Sequence, residues 1–310
     1  MTIKRLFSVR TLLFTTSISI AYLLLSAWLV GFKTDQLWLV AIFNTCYYFS
    51  WPTRRLITGF SIFIIYWVLF DYMKAFPNYL YNTVHIKDLY EAEKAIFGMM
   101  VNGVKVTPNE YWLLHTQSWL DVTSGIFYLC WVPVPLMFAG YLFYKDPLVF
   151  IHFASTFLLV NLLGFLFYYI YPAAPPWYVQ LHGFEFIAHT RGNAAGLLRF
   201  DQHMHANIFG SLYTKSSNVF AAMPSLHSAY PLIVLYYARH HSKILFQVIC
   251  GVIAVGIWFS AVYNSHHYML DVAAGIICAI TSLVFYNKVL MNSPAYKRLI
   301  LRLHNLVSTK

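Results

Sequence analysis

The chain has 310 residues, 59% of them hydrophobic and only 10% charged, with a mean hydropathy of +0.59. That composition excludes an ordinary soluble domain and points to a polytopic membrane protein, an all-α helical bundle. The formal net charge of +10 raises the question of an anionic partner, and the distribution of the cations answers it below without a nucleic acid.

Apolar runs long enough to cross a bilayer need about 17–25 residues. They fall at 11–31, 56–73, 119–144, 147–171, 222–238, 244–263 and 269–290, with 37–51 a shorter eighth. The first run is too long for a signal-peptide core, and no small-x-small cleavage site follows it, so a retained helix is expected. Residues 1–55 therefore read as N-terminal membrane helices. Residues 56–290 read as the membrane core, with six spans and two long outer segments, 74–118 and 172–221. Residues 291–310 form a basic tail.

Within the first outer segment, Thr107-Pro108-Asn109-Glu110 has the form of a capping box with proline at the first helical position. It predicts a helix carrying Tyr111, Trp112, Leu114 and Trp119, either interfacial and leading into the next span or an ordinary extramembrane loop helix. In that span, Val132-Pro133-Val134-Pro135 predicts a kink. Cys46, Cys130, Cys250 and Cys278 all sit inside apolar runs without metal-ligand spacing and read as packing residues.

Threading eight helices places the N-terminus, 51–55, 144–146, 239–243 and the tail on one face, with 13 of the 21 Lys and Arg. These lie in short loops and tails, so that face is expected to be cytoplasmic. The tail cations Lys288, Lys297, Arg298, Arg302 and Lys310 then read as topogenic or as contacts to anionic lipid. Ten of the eleven acidic residues assort to the other half, Asp146 being the exception. That non-cytoplasmic side also receives the two segments that carry chemistry.

Those segments are Pro224-Ser225-Leu226-His227 and Ser260-x6-His267-x3-Asp271. On a helix, Asp271 at i+4 can hold one ring nitrogen of His267 protonated and leave the other free to attack. His266 would pair with Leu270 and lacks that support. Pro224 suits a first helical position, which places His227 near a helix N-terminus that attracts phosphate. There His227 could protonate a leaving alkoxide and later deprotonate an acceptor. Together these residues supply the parts for phosphoryl transfer through a phosphohistidine. Ser225 is not in a nucleophile-elbow pattern and is expected to orient the loop or the phosphate. His203-x-His205 lacks a completing ligand, and His240-His241 reads as a polar helix end. No metal or other cofactor is called for.

These motifs resemble the type 2 phosphatidic acid phosphatase superfamily. Its P-S-x-H motif matches Pro224, Ser225 and His227, and its S-R-x5-H-x3-D motif matches Ser260, His267 and Asp271. Three cations of that pattern are replaced: Gly164 and Tyr171 stand where the first motif, K-x6-R-P, has lysine and arginine, and Ala261 where the third has arginine. A phosphomonoester carries nearly two negative charges and a diester one, so fewer cations suit a diester donor. Residues 171–178, the stretch Gly192-Asn193-Ala194-Ala195-Gly196-Leu197-x-Arg199-x-Asp201, and Ser211-Leu212-Tyr213-Thr214 resemble the inositol phosphorylceramide synthase branch. The resemblance covers about residues 107–290.

It implies transfer of phosphoinositol from phosphatidylinositol to ceramide, with His227, His267 and Asp271 catalytic. Arg199, and after it Arg191 and Lys215, are candidate replacements for the missing cations, while Tyr178 and Asp201 are either headgroup contacts or loop anchors. A phosphatase using water as acceptor, and an inactive scaffold or lipid transporter, are the alternatives. Modest length and a short N-terminal region point to a bacterial inner membrane rather than a Golgi membrane.

Overall fold

A computed structural model describes residues 6–214 and 218–308. The chain is nearly all helical. In order it forms α1 (Val9–Val30), α2 (Thr34–Phe49), α3 (Trp51–Tyr72), α4 (Lys87–Phe97), β1 (Met99–Val101), β2 (Val104–Val106), α5 (Pro108–Leu114), α6 (Ser118–Leu129), α7 (Pro133–Lys145) and α8 (Pro147–Ile170). There follow α9 (Pro176–His182), α10 (Leu197–His203), α11 (Ile208–Tyr213), α12 (Leu226–His241), α13 (Ile244–Tyr263), α14 (Met269–Lys288) and α15 (Pro294–Val307).

All eight expected apolar runs are helical. Six are long and apolar enough to cross a membrane, counting α6 with α7 as one span; α2 and α12 have 16 residues each. α12 is shorter than the run 222–238 because Ser225 is extended and serves as its N-cap. Pro224 thus precedes the cap instead of opening the helix, yet His227 still falls in the first turn.

Thr107 and Glu110 form the anticipated capping box, but α5 stops at Leu114, so Trp119 belongs to α6. The helix also breaks before Pro133, as the paired prolines predict. The short helices α9, α10 and α11 and the tail helix α15 lacked an expectation, as did the hairpin β1–β2. Its turn residues Asn102 and Gly103 both have positive φ, 50° and 80°, the conformation favoured in tight two-residue turns.

Two compact units emerge. One takes in the chain to Phe76, Tyr141–Leu158 and the chain from Met291. In it α2 and α15 pack on α3, and Arg55 Nε donates to the carbonyl of Val307 at 2.9 Å.

The other unit, Pro77–Gly140 with Leu159–Leu290, contains every candidate catalytic residue. Its centre is α12, packed against both α13 and α14, while α6 packs on α13 and α10. Gly275 of α14 lets the backbones meet: a Cβ there would lie closer than 3.0 Å to the carbonyl oxygen of Ser225. That approach lets the Ser225 N–H donate to the carbonyl of Asp271 at 2.9 Å. Two short parallel bridges, His85 with Ala173 and Ala173 with Ala221, bring the outer segments together beside the same loop.

Candidate active site

The helix start at Leu226 and the turn between α13 and α14 bring His227 and His267 together. His227 Nδ1 lies 3.1 Å from His267 Nε2. On its far side, His267 Nδ1 lies 3.6 Å from Asp271 Oδ2, an ion-pair separation too long for a hydrogen bond. His267 Nδ1 and Asp271 Oδ1 are both buried without a hydrogen-bond partner among the described residues. Such contacts commonly tighten only when substrate arrives. Asp271 is meanwhile fixed by accepting the Tyr268 N–H at 2.9 Å.

Assigning the Nδ1 proton of His267 to Asp271 leaves Nε2 with a lone pair, and His227 Nδ1 then donates to it. The hydroxyl of Tyr128, a fully buried residue of α6, lies 3.2 Å from the same His227 nitrogen. The ring of Trp131 packs at 74° to that of His227, with 4.4 Å between centroids. His227 is thereby held by an aromatic wall and a hydroxyl, with its Nδ1 facing His267.

The loop 264–268 is built to aim His267 and to immobilise its neighbour. The carbonyl of Ala261 accepts the N–H groups of both His266 and His267 at 3.0 Å. Ser265 adopts φ 58°, a strained region for a non-glycine residue. Its carbonyl accepts the Trp177 N–H at 3.0 Å, and its hydroxyl accepts from Gln180 Nε2 at 3.0 Å.

His266 turns away from the pair. Its Nε2 donates to the carbonyl of Ala194 at 2.9 Å, and its ring stacks on Tyr128 at 5.4 Å. Burial pushes its pKa down to about 3, so it stays neutral at working pH and serves as a structural donor.

A histidine whose folded pKa lies below the unfolded value contributes stability above pH 6.5 that is lost as pH falls toward 3. H266Q, which keeps a donor for Ala194, is expected to flatten the fall in melting temperature between pH 6.5 and 4. The wild-type excess is on the order of 5 kcal/mol when fully developed. Parallel melting curves for the two proteins would remove His266 as the titrating group.

The three positions without cations are occupied by packing. A Cβ on Gly164 would meet Leu226 at 2.6 Å. Tyr171 stacks flat on His85, with centroids 3.7 Å apart and planes 8° from parallel; His85 Nδ1 is paired with Asp88. Ala261 is fully buried in a cluster with Tyr128, Leu197 and Phe200. A lysine or arginine at 164 or 261 would need these neighbours to move.

Of the candidate binding residues, Ser225 caps α12, and its hydroxyl accepts from Ser228 at 3.0 Å. Arg199 Nε donates to Asp121 Oδ1 at 2.6 Å, while its Nη2 is buried without a partner among the described residues. Tyr263 donates to the same Asp121 oxygen at 2.8 Å. Tyr178 is fully buried; its hydroxyl donates to the Glu185 carbonyl at 2.7 Å and accepts the Ile187 N–H at 2.9 Å. Asp201 accepts the N–H groups of Ile208, Phe209 and Gly210. Both residues thus use their polar atoms as loop anchors. Arg191 is exposed in the loop before α10, and Lys215 lies outside the described residues.

Sequence reasoning missed Tyr128 and Asp121. Tyr128 leaves no local signal, one aromatic residue among many in an apolar run. Asp121 does: an ionisable residue in a membrane-length apolar segment demands a partner, and here it is Arg199.

The sequence profile described as "PAP2 superfamily" matches residues 100–285, the stretch that holds His227, His267 and Asp271. The chain is 44% identical to a phosphoinositol dihydroceramide synthase of Bacteroides thetaiotaomicron over 89% of its own length and 91% of that protein. It is 26% identical to an inositol phosphorylceramide synthase of Candida albicans over 80% of its own length and 51% of the relative. With the catalytic subunit of the Saccharomyces cerevisiae inositol phosphorylceramide synthase, the figures are 28%, 76% and 59%. No solved structure matches the chain significantly. The profile match over well over half the chain and the near full-length bacterial relative make this integral membrane protein a member of the PAP2 superfamily.

Proposed function

We propose that the chain transfers phosphoinositol from phosphatidylinositol to the primary hydroxyl of a ceramide, releasing diacylglycerol. The observation that carries the reading is the chain of contacts from His227 to His267 to Asp271, at 3.1 and 3.6 Å. The names of the bacterial and fungal relatives, a phosphoinositol dihydroceramide synthase and inositol phosphorylceramide synthases, support phosphoinositol as the transferred group and a ceramide as acceptor.

In the first step the Nε2 lone pair of His267 attacks the donor phosphorus. The bond from phosphorus to the glycerol oxygen breaks, and His227, entering this step as an imidazolium, gives its proton to the departing alkoxide, which completes diacylglycerol and leaves a neutral imidazole for the next step. Phosphoinositol remains on Nε2, and Asp271 stabilises the positive ring through Nδ1–H. In the second step the ceramide hydroxyl loses its proton to His227 as its oxygen attacks phosphorus. The P–N bond breaks, its electron pair returns to Nε2, and inositol phosphorylceramide leaves.

The 3.1 Å contact between the two imidazoles occupies the lone pair that must attack. Substrate entry therefore breaks it, and the two rings come to flank the phosphorus. Tyr128, already beside His227 Nδ1, gives the displaced ring a hydrogen-bond partner. Arg199 is the candidate cation for the diester, with Nη2 left after Nε is taken by Asp121; Ser225 orients the loop beneath it.

The packed positions 164, 171 and 261 favour a singly charged diester over a monoester. With ceramide present, phosphatidylinositol is expected to yield diacylglycerol far faster than phosphatidic acid yields phosphate. The reverse order would return the chain to the lipid phosphatase reading.

We infer that the site faces the non-cytoplasmic side of a bacterial inner membrane, a reading supported by the bias of 13 of 21 cations to the opposite face. A cysteine at the exposed position 191 is expected to react with an impermeant maleimide in spheroplasts. Protection there, with reaction after lysis, would reverse the orientation.

A further inference from the structure

Two buried polar side chains of the outer segment direct hydrogen bonds to the loop that carries His267. Glu93, on α4, is fully buried. Its Oε1 accepts the Met269 N–H at 2.9 Å and its Oε2 accepts the Leu270 N–H at 3.1 Å. These belong to the first turn of α14, whose N–H groups have no partner within the helix. Asn109, on α5, is equally buried. Its Nδ2 donates to the carbonyls of Val262 at 2.8 Å and His267 at 2.9 Å.

The four bonds grip the loop before, at and after the histidine. Burying a carboxyl and an amide is costly unless they are hydrogen-bonded, and apolar residues could fill the same space. Here the bonds fall on the main chain that sets the direction of His267 and the start of the helix bearing Asp271. Glu110, from the same capping box as Asn109, accepts from Tyr90 of α4 at 2.9 Å, so the two gripping helices are themselves tied together.

We propose that Glu93 and Asn109 are positioning residues for phosphoryl transfer: they fix the backbone around His267 so that Nε2 meets the phosphorus and Nδ1 stays within reach of Asp271. This rests on the reading of His267 as the nucleophile. A shift of about 1 Å in a reacting atom costs about 100-fold in rate, so the grip acts on turnover. It leaves binding of the headgroup and acyl chains unchanged.

The test uses the full chain in detergent with phosphatidylinositol and ceramide. E93Q puts an NH2 group against a backbone donor, and N109L removes both donors at similar volume. Each is expected to lower kcat between 10- and 100-fold with KM for phosphatidylinositol within twofold of wild type. E91Q, on the exposed face of α4, is expected to leave both constants unchanged.

A folded E93Q or N109L with wild-type kcat would overturn the proposal. So would a loss carried by KM, or one that merely follows the melting temperature. If E93Q does not fold, N109L carries the same outcomes. Turnover that survives in H267A would instead sink the nucleophile assignment, which separates the two failures.

Discussion

H267A is expected to lower kcat for phosphoinositol transfer by about 10⁴ to 10⁶, the loss seen when the nucleophile of a unit acting in concert is removed. His266 cannot substitute. Its Nε2 is committed to the Ala194 carbonyl, its ring is stacked on Tyr128, and burial holds its pKa near 3. His227 cannot substitute either, because no carboxylate among the described residues hydrogen-bonds its ring; it meets Tyr128, Trp131 and His267. The variant should also retain no radioactivity after a brief incubation with phosphatidylinositol labelled at phosphorus, whereas wild type without acceptor should hold an acid-labile label. Label retained by folded H267A would move the covalent intermediate to another residue.

The second large effect is expected at Asp271. D271N keeps the volume of the side chain and an oxygen for the Tyr268 N–H, now at 2.9 Å from Oδ2. In the proposed mechanism it loses the carboxylate that selects the Nδ1–H form of His267 and stabilises the positive phosphohistidine. A fall in kcat of about 10⁴ is expected, by analogy with other carboxylate-oriented histidines. KM for phosphatidylinositol should change little, because Asp271 is fully buried behind the ring and meets no substrate. The 3.6 Å gap of the present geometry makes this informative. If the gap never closes during turnover, D271N will cost less than tenfold, and Asp271 will be reduced to a cap of α14.

How much of this could be read from the chain depends on how locally each interaction is written. His267 and Asp271 were legible because i,i+4 spacing on a helix is a local fact, and His227 because it follows a helix-start signal. The eight apolar runs were legible because bilayer thickness imposes a length. Helix ends were less so: whether Pro224 opens α12 or precedes its cap is decided by Ser225, whose N–H reaches the Asp271 carbonyl on α14.

The supports of the site are mostly long-range. Glu93 looks like one more acid on an amphipathic helix until its two oxygens are found on Met269 and Leu270. Asn109 was noticed as part of a capping box, yet its side chain is spent on Val262 and His267. The missing cations were visible as absences at 164, 171 and 261. Their replacements, Leu226 against Gly164 and His85 on Tyr171, came only with the fold. Tyr178 and Asp201 show the converse. Sequence left these two between headgroup contacts and loop anchors, and their polar atoms are taken up by the loop backbone.

The most direct test of the central claim is lipid mass spectrometry of the purified protein in detergent, given phosphatidylinositol and a ceramide, with H267A alongside. The mechanism predicts inositol phosphorylceramide and diacylglycerol in equal amounts from wild type and neither from the variant. Inositol phosphate without a ceramide product would make water the acceptor, and unchanged lipids from an intact, folded wild-type protein would contradict the assignment of phosphatidylinositol as donor.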